Sequence, residues 1–335
     1  MKVWEIGEAF GLENLREVQR EVPTPGHGEV LLKMKAASLN FRDLLMVKGM
    51  YNPRQPLPLV PCSDGVGVVE SCGEGVSSLK AGDRVIPCFA PDWSSGEPTR
   101  DKLRTTLGGP LDGTLSEYMV VPEQSVVMAP EYLSDEECAT LPCAGLTAWS
   151  ALVTHYGLKA GDVVLAQGTG GVSLFALQIA KAHGAEVIMT SSSDEKLERV
   201  KEMGASHGIN YRDVEQWGKA VRKLKPLGVD HVIEVGGADT LEQSLRAVKF
   251  GGHISMIGVL SGTLSKVNLI PILMQNLRIQ GIIVGHKEAF ESMNKAFATH
   301  QIRPVISDSF GWSELPDAFA LMEKGGHFGK IVISF

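Results

Sequence analysis

The chain has 335 residues, 44% hydrophobic and 21% charged, an ordinary globular balance in a length that points to two domains rather than one core. A net charge of −7 argues against the basic surface that nucleic acid or an anionic membrane requires, and no apolar run approaches the roughly 18–20 residues that span a bilayer. The opening Met1-Lys2-Val3-Trp4-Glu5-Ile6 puts an acid where a secretion signal carries its apolar stretch, so the chain reads as cytosolic with a small molecule as partner.

In chain order, the first ~125 residues are rich in Gly and Pro with short apolar runs such as Val30–Met34 and Val66–Glu70, the texture of an irregular, mostly β domain. The stretch from Pro87 to Gly113 has few apolar residues and reads as an excursion from the core. From Cys138 the texture changes. Strand Val163–Ala166 precedes helix Gly171–His183, Glu186–Thr190 precedes Asp194–Met203, and Asp230–Val235 precedes Asp239–Val248, followed by strands His253–Ile257 and Ile279–Val284. Continuous apolar strands alternating with amphipathic helices indicate an α/β fold, a doubly wound parallel sheet covered on both faces. Ser193 is placed to cap the second helix and Gly204 to end it. One more helix carries Phe290, Met293 and Phe297 on one face, and the tail ends in a strand over Lys330–Phe335. Strand Ile279–Val284 reads as the last of its sheet, and an apolar edge of that kind invites pairing with a second copy. A homodimer is the expectation.

The strand Val163–Ala166 runs into Gln167-Gly168-Thr169-Gly170-Gly171-Val172-Ser173 and then a helix, a GxGxxG fingerprint with Ser in the last position. Gly168 permits the tight turn, Gly170 allows close approach of a pyrophosphate, and the helix N-terminus supplies N–H groups to it. Thr169, Gly171 and Val172 complete the candidate contact set. An NAD-specific site usually places Asp or Glu about 20 residues further on, against the ribose. Here Thr190-Ser191-Ser192-Ser193 stands at that strand end, with Lys196 following. No carboxylate repels a 2′-phosphate, and Ser191, Ser192 and Lys196 offer groups to bind one. NADPH is the expected cofactor.

Several spaced segments then resemble the medium-chain dehydrogenase/reductase superfamily over almost the whole chain. They are Leu39-Asn40-Phe41-Arg42-Asp43, Pro61-Cys62-Ser63-Asp64-Gly65-Val66-Gly67-Val68-Val69, Gly73-Glu74-Gly75-Val76, Ala81-Gly82-Asp83-Arg84-Val85, Cys143-Ala144-Gly145-Leu146-Thr147-Ala148-Trp149 and the glycine loop. The resemblance implies a GroES-like, mostly β catalytic domain over residues 1–124, an inserted Rossmann cofactor domain over 125–285, a return to the catalytic domain over 286–335, and a cleft between the domains.

Departures from that pattern bear on the chemistry. Where the zinc alcohol dehydrogenases carry a Cys three residues before an Asp, Asn40 precedes Asp43; where they carry the His of a GHE triplet, Ser63 stands in Cys62-Ser63-Asp64. Only Cys143 keeps a ligand type. A catalytic zinc needs about three protein ligands, mostly N or S, and no Cys lies between Pro91 and Gly113 for a structural zinc. Both zincs are expected to be absent, and the five cysteines, which form no CxxC pair, are read as free thiols. Without a Lewis acid the chain looks more like the quinone oxidoreductases and enoyl reductases of the superfamily, which pass hydride from NADPH to a quinone or an activated alkene.

The resemblance assigns residues to that reaction. Tyr51 stands where related enoyl thioester reductases carry a proton-donating Tyr, and a phenol can donate; a packing role in its Pro-rich loop is the alternative. Asn40 could hydrogen-bond the nicotinamide ribose or the substrate, or serve only the turn. Phe89 falls at a pocket-lining position. Thr147 resembles a Thr beside the nicotinamide, Gly236 belongs to a cofactor-side turn, Tyr211 matches a Tyr on the 2′-phosphate side, and Lys330 resembles a base that contacts the pyrophosphate. A metal-free alcohol or carbonyl dehydrogenase is the enzymatic alternative, and a nucleotide-binding protein without turnover is the alternative of another class.

Overall fold

The Gly- and Pro-rich opening of the chain folds into short strands. β1 (Lys2–Ile6) pairs antiparallel with β2 (Leu15–Gln19). β3 (Glu29–Leu39) is the spine of a larger sheet that also takes β4 (Asp64–Cys72), β5 (Arg84–Pro87), β6 (Tyr118–Pro122) and β7 (Val126–Met128). Val30, Leu32, Met34, Val69, Val85, Met119 and Val121 pack together in its core, the burial that stabilises strands too short to persist alone. The stretch from Pro87 to Gly113 differs from the expected excursion. It carries the short helix Arg100–Leu103, but Phe89, Trp93 and Leu107 are buried, and Leu107 joins that core. Three well-separated apolar side chains anchor a loop whose average composition is polar.

The middle of the chain builds an all-parallel six-stranded sheet: β8 (Val163–Gln167), β9 (Glu186–Ser191), β10 (His207–Asn210), β11 (Val229–Glu234), β12 (Val248–Met256) and β13 (Arg278–Gly281), in spatial order β10-β9-β8-β11-β12-β13. Its helices include Gly171–Ala182, Asp194–Glu202, Trp217–Leu224 and Leu241–Ala247. Leu165, Ile188, Val221, Val232, Leu245 and Ile254 lie in one buried cluster, as expected of strands covered on both faces. Ser193 caps its helix, accepting from Lys196 N at 3.3 Å, and Gly204 follows with φ +105°. The chain winds outward from β8 to β10 and then from β11 to β13. The order therefore reverses between β8 and β11, where open sheets of this class bind ligands beyond their strand ends. β13 covers Arg278–Gly281 rather than the expected Ile279–Val284, its ladder with β12 ending at Met256 and Gly281, and Val284 at φ +44° lies outside extended backbone.

The chain then returns to the first sheet. Helix Lys287–His300 buries Phe290, Met293 and Phe297 completely. β14 (Ile306–Gly311) and β15 (Lys330–Ser334) pair in parallel, and β15 runs antiparallel to the second half of β3. One edge of β3 pairs with β4; the other is shared by β6 and β15.

The structure, a computed structural model, describes residues 1–335 and forms two units, Met1–Leu146 with Val284–Phe335 in one and Thr147–Ile283 in the other. The first boundary falls about twenty residues beyond the expected 124/125. The reason is local: β7 pairs with β5, and helix Asp135–Ala139 packs on β3, β4 and β15, which ties residues 125–146 to the first unit. No helix is long and apolar enough to cross a membrane.

Candidate functional site

In the unit of Thr147–Ile283, β8 ends at Gln167 and the chain turns through Gly168 at φ +72°. A Cβ at Gly168 or at Gly170 would meet no atom within 4 Å, so both glycines face open space in front of helix Gly171–Ala182. That helix starts with N–H groups that have no intrahelical partner, suited to an anion. Ser173, in place of the third glycine, is buried and donates from its hydroxyl to Gln167 O at 2.5 Å. This bond ties helix to strand end, so the larger side chain is accommodated. Thr169 is buried in the loop, and Thr147 is buried at the start of the unit.

The adjoining strand end holds the residues expected at a 2′-phosphate. Ser191 is buried, its hydroxyl accepts from Ser193 N at 3.3 Å, and its carbonyl accepts from Tyr211 N at 3.0 Å. Ser191 and Tyr211 thus come together. Lys196 lies one turn into the next helix, its ammonium pKa lowered by burial and by Arg199. The nearest acid along the chain, Asp194, accepts from Asn210 Nδ2 at 2.9 Å.

Beneath both turns lies a residue absent from the sequence reading. Glu234, at the end of β11, is fully buried and accepts from Gln167 Nε2 (2.7 Å), Ser244 Oγ (2.5 Å), Thr240 Oγ1 (2.5 Å), Gly236 N (2.9 Å) and Gly237 N (3.0 Å). Gln167 Oε1 accepts in turn from Val235 N and Gly236 N. The glycine loop and the Gly236 turn therefore share one hydrogen-bonded support. A carboxylate followed by two glycines at a strand end was the available signal.

In the other unit, Asn40 joins β3 to helix Phe41–Val47, and its N–H donates to Asp43 Oδ2 at 2.8 Å. Lys330, placed by resemblance at a pyrophosphate, has a buried side chain whose ammonium donates to Leu39 O (2.8 Å), to Asn40 Oδ1 and to Asp64 Oδ2 (3.5 Å). It opens β15, whose pairing with β3 points it inward at the Asn40 turn. Asp43 and Asp64 are both fully buried. Burial pushes the Asp43 carboxyl up to about 6, with Arg42 acting against it. Burial also raises Asp64, opposed first by the Lys330 ammonium and also by the neighbouring Asn40 amide, the Ser63 hydroxyl and the Cys143 N–H. The Asn40 Nδ2 itself closes no hydrogen bond within this structure.

Tyr51 and Phe89 are brought together by a residue that the sequence reading quoted only as part of a motif. The Arg42 guanidinium stands 5.1 Å from the Tyr51 ring centroid and 4.8 Å from that of Phe89, and it donates to Leu107 O (2.7 Å) and Gly109 O (3.0 Å). Tyr51 is half exposed while Phe89 is buried. Arg42 thus fixes one wall on which the phenol lies.

The chain matches the family descriptions Alcohol dehydrogenase GroES-like domain over residues 26–131 and Zinc-binding dehydrogenase over residues 171–299. It is 43% identical to a zinc-type alcohol dehydrogenase-like protein of Schizosaccharomyces pombe, over 97% of this chain and 96% of that one. It is 33% identical to an acryloyl-coenzyme A reductase of Metallosphaera sedula, over 98% of each. A crystal structure of a putative alcohol dehydrogenase from Sinorhizobium meliloti 1021 superimposes with a TM-score of 0.92 at 45% identity, covering 100% of this chain and 98% of that one. With a GroES-like sheet in one unit and a parallel Rossmann sheet in the other, the chain belongs to the medium-chain dehydrogenase/reductase superfamily. It is an oxidoreductase of that family.

The family description names zinc, and the residues here do not fit it. The three positions in question hold the Asn40 amide, the Ser63 hydroxyl and Cys143, whose thiol is pushed well up by burial and the Asp64 charge. An ammonium is hydrogen-bonded between Asn40 and Asp64, and no group of three His, Cys, Asp or Glu side chains is arranged for a metal ion.

Proposed function

We propose that this protein is an NADPH-dependent, zinc-independent reductase of activated alkenes, compounds in which a C=C bond is conjugated to a carbonyl, with quinones as chemically related acceptors. The observation that carries the reading is the donor set around Asn40, where an amide and the Ser63 hydroxyl stand in place of two zinc ligands and the Lys330 ammonium is hydrogen-bonded beside them. The name of the acryloyl-coenzyme A reductase relative supports an alkene acceptor. The open glycine turn and the hydroxyl-rich end of β9 fit a dinucleotide carrying a 2′-phosphate.

NADPH, when bound, supplies the hydride. Addition at the β-carbon moves an electron pair onto the carbonyl oxygen, and the α-carbon then takes a proton. Asn40 Nδ2 is a donor for the developing oxyanion, and the Tyr51 phenol is a donor for the proton. Arg42 holds the phenol by its ring face. Gly168, Thr169, Gly170, Gly171 and Val172 cradle the pyrophosphate, Thr147 and Gly236 face the nicotinamide side, and Ser191, Ser192, Lys196 and Tyr211 take the 2′-phosphate. The protein is read as a cytosolic homodimer.

A panel of enones, para-quinones, aldehydes and alcohols under NADPH, NADH and NADP⁺, run on protein of measured metal content, tests this. Enone reduction by metal-free protein with preference for NADPH is expected. One tightly held zinc per chain, with chelator-sensitive alcohol oxidation, would overturn it.

A further inference from the structure

An amide side chain can turn over, exchanging its donor and acceptor ends, and Asn40 sits where that choice matters. Lys330 Nζ reaches it from 290 residues away and is hydrogen-bonded to its Oδ1. An ammonium has three donors and no acceptor, and here all three are engaged, by Leu39 O, Asn40 Oδ1 and Asp64 Oδ2. The Asn40 backbone N–H is separately held by Asp43. Backbone and acceptor end are therefore both fixed, while Nδ2 is buried without a hydrogen bond. A buried donor without a partner calls for an explanation, and an acceptor oxygen on a molecule bound against Asn40 would supply one.

We propose that Lys330 is a positioning residue: its ammonium sets the Asn40 amide with Nδ2 free to donate to the carbonyl oxygen of the acceptor, and it does not bind the cofactor pyrophosphate. The ammonium takes a metal's place only as the fixed positive charge against Asp64. It makes no bond to the substrate and undergoes no chemical step. Orienting the amide and stabilising the oxyanion are then one function divided between two residues.

The kinetic arm of the test rests on the reductase reading; the spectroscopic arm does not. Lys330→Met keeps the stem and removes the charge, Lys330→Arg keeps a group that can only donate, and Asn40→Ala removes the amide. With an enone, Asn40→Ala is expected to lower kcat roughly 10²–10³-fold, the cost of one oxyanion donor. Lys330→Met should fall in the same direction, Lys330→Arg should recover activity, and the Lys330→Met/Asn40→Ala double variant should be no slower than Asn40→Ala alone. NADPH affinity, read from its fluorescence, should be unchanged throughout. Weakened NADPH binding at undiminished kcat, or losses that multiply in the double variant, would overturn the proposal.

Independently of turnover, the Asn40 side-chain amide signal, assigned by its loss in Asn40→Ala, should show one fixed orientation in the wild type and two in Lys330→Met. A single unchanged orientation in Lys330→Met would also overturn it. If the wild type binds NADPH but reduces no enone, the reductase reading fails, and this amide signal still decides the role of Lys330. Should Lys330→Met not fold, with Asp64 left alone in the interior, Lys330→Met with Asp64→Asn removes both charges and carries the same measurement.

Discussion

Gln167 and Glu234 end neighbouring parallel strands, and the Gln167 amide donates to the Glu234 carboxylate at 2.7 Å. Through this bond the glycine loop after β8 and the glycine turn after β11 lean on one buried carboxylate.

Glu234→Ala would leave the N–H groups of Gly236 and Gly237 and the hydroxyls of Thr240 and Ser244 without their shared acceptor. One hydrogen bond to a charged group contributes about 1.5–3 kcal/mol, and the variant should lose at least that much stability in urea denaturation. NADPH should bind more weakly as both turns loosen. A denaturation midpoint equal to the wild type's would refute the keystone role.

Tyr51→Phe keeps the ring against Arg42 and removes only the hydroxyl. The rate of enone reduction should fall roughly 10²–10⁴-fold, the usual contribution of a positioned acid, with NADPH affinity unchanged. The assay needs an enone, since a hydroquinone anion can take its proton from water. Wild-type turnover by the variant would remove Tyr51 from the mechanism.

Ser191→Asp places a carboxylate at the end of β9, beside the backbone of Tyr211. It should weaken NADPH by repelling the 2′-phosphate and shift preference toward NADH, measured as the ratio of kcat/KM values. A wild-type enzyme that already prefers NADH would contradict this assignment.

His231 and His253 stack with ring centroids 4.9 Å apart, each with the Tyr156 ring edge-on. Burial, reinforced by His253, holds the His231 pKa well below 6.5, so the folded protein keeps His231 neutral where the unfolded chain takes up a proton. Its contribution to stability is complete above about pH 6.5 and is lost as pH falls below that, by up to about 1.4 kcal/mol per pH unit. His231→Phe should flatten the acid limb of a stability–pH curve; an unaltered slope would exclude His231 as its source.

β13 is a fully exposed edge of the six-stranded sheet, with Leu269, Ile270, Leu273, Met274 and Ile279 exposed around it. Such an edge templates pairing with another chain, and a two-fold dimer closes it. Light scattering at micromolar concentration should give the mass of a dimer, and Ile279→Lys should shift it toward the monomer. A monomeric wild type would defeat the proposal.

What the residues disclosed in advance follows from how local each signal is. Val163, Val164 and Leu165 form a continuous apolar run followed at once by a glycine loop and a helix, so the parallel sheet and its glycine turn were legible. β10 escaped notice because Ile209 is its one buried residue, between His207, Gly208 and Asn210. Helix Trp217–Leu224 begins after Gln216, which makes no side-chain cap bond, and so lacks the usual start signal. In the candidate site, Asn40, Tyr51 and Phe89 were visible one by one. Their organisation by Arg42 and Lys330 was not, since Arg42 binds carbonyls 65 and 67 residues away and Lys330 reaches back 290. Contacts of that span leave no periodicity to read.

The pairing of β15 with β3 sets the two units different kinetic problems. In the middle unit β8 pairs with β9, β9 with β10, β11 with β12 and β12 with β13, each the next strand along the chain. The other unit seats its buried lysine only after closing a loop that encloses the whole six-stranded sheet. Closing long loops costs entropy before any contact repays it. A refolding chain is therefore expected to form the pairings within the six-stranded sheet before the β15–β3 pairing closes around them, an order that pulsed hydrogen exchange would read.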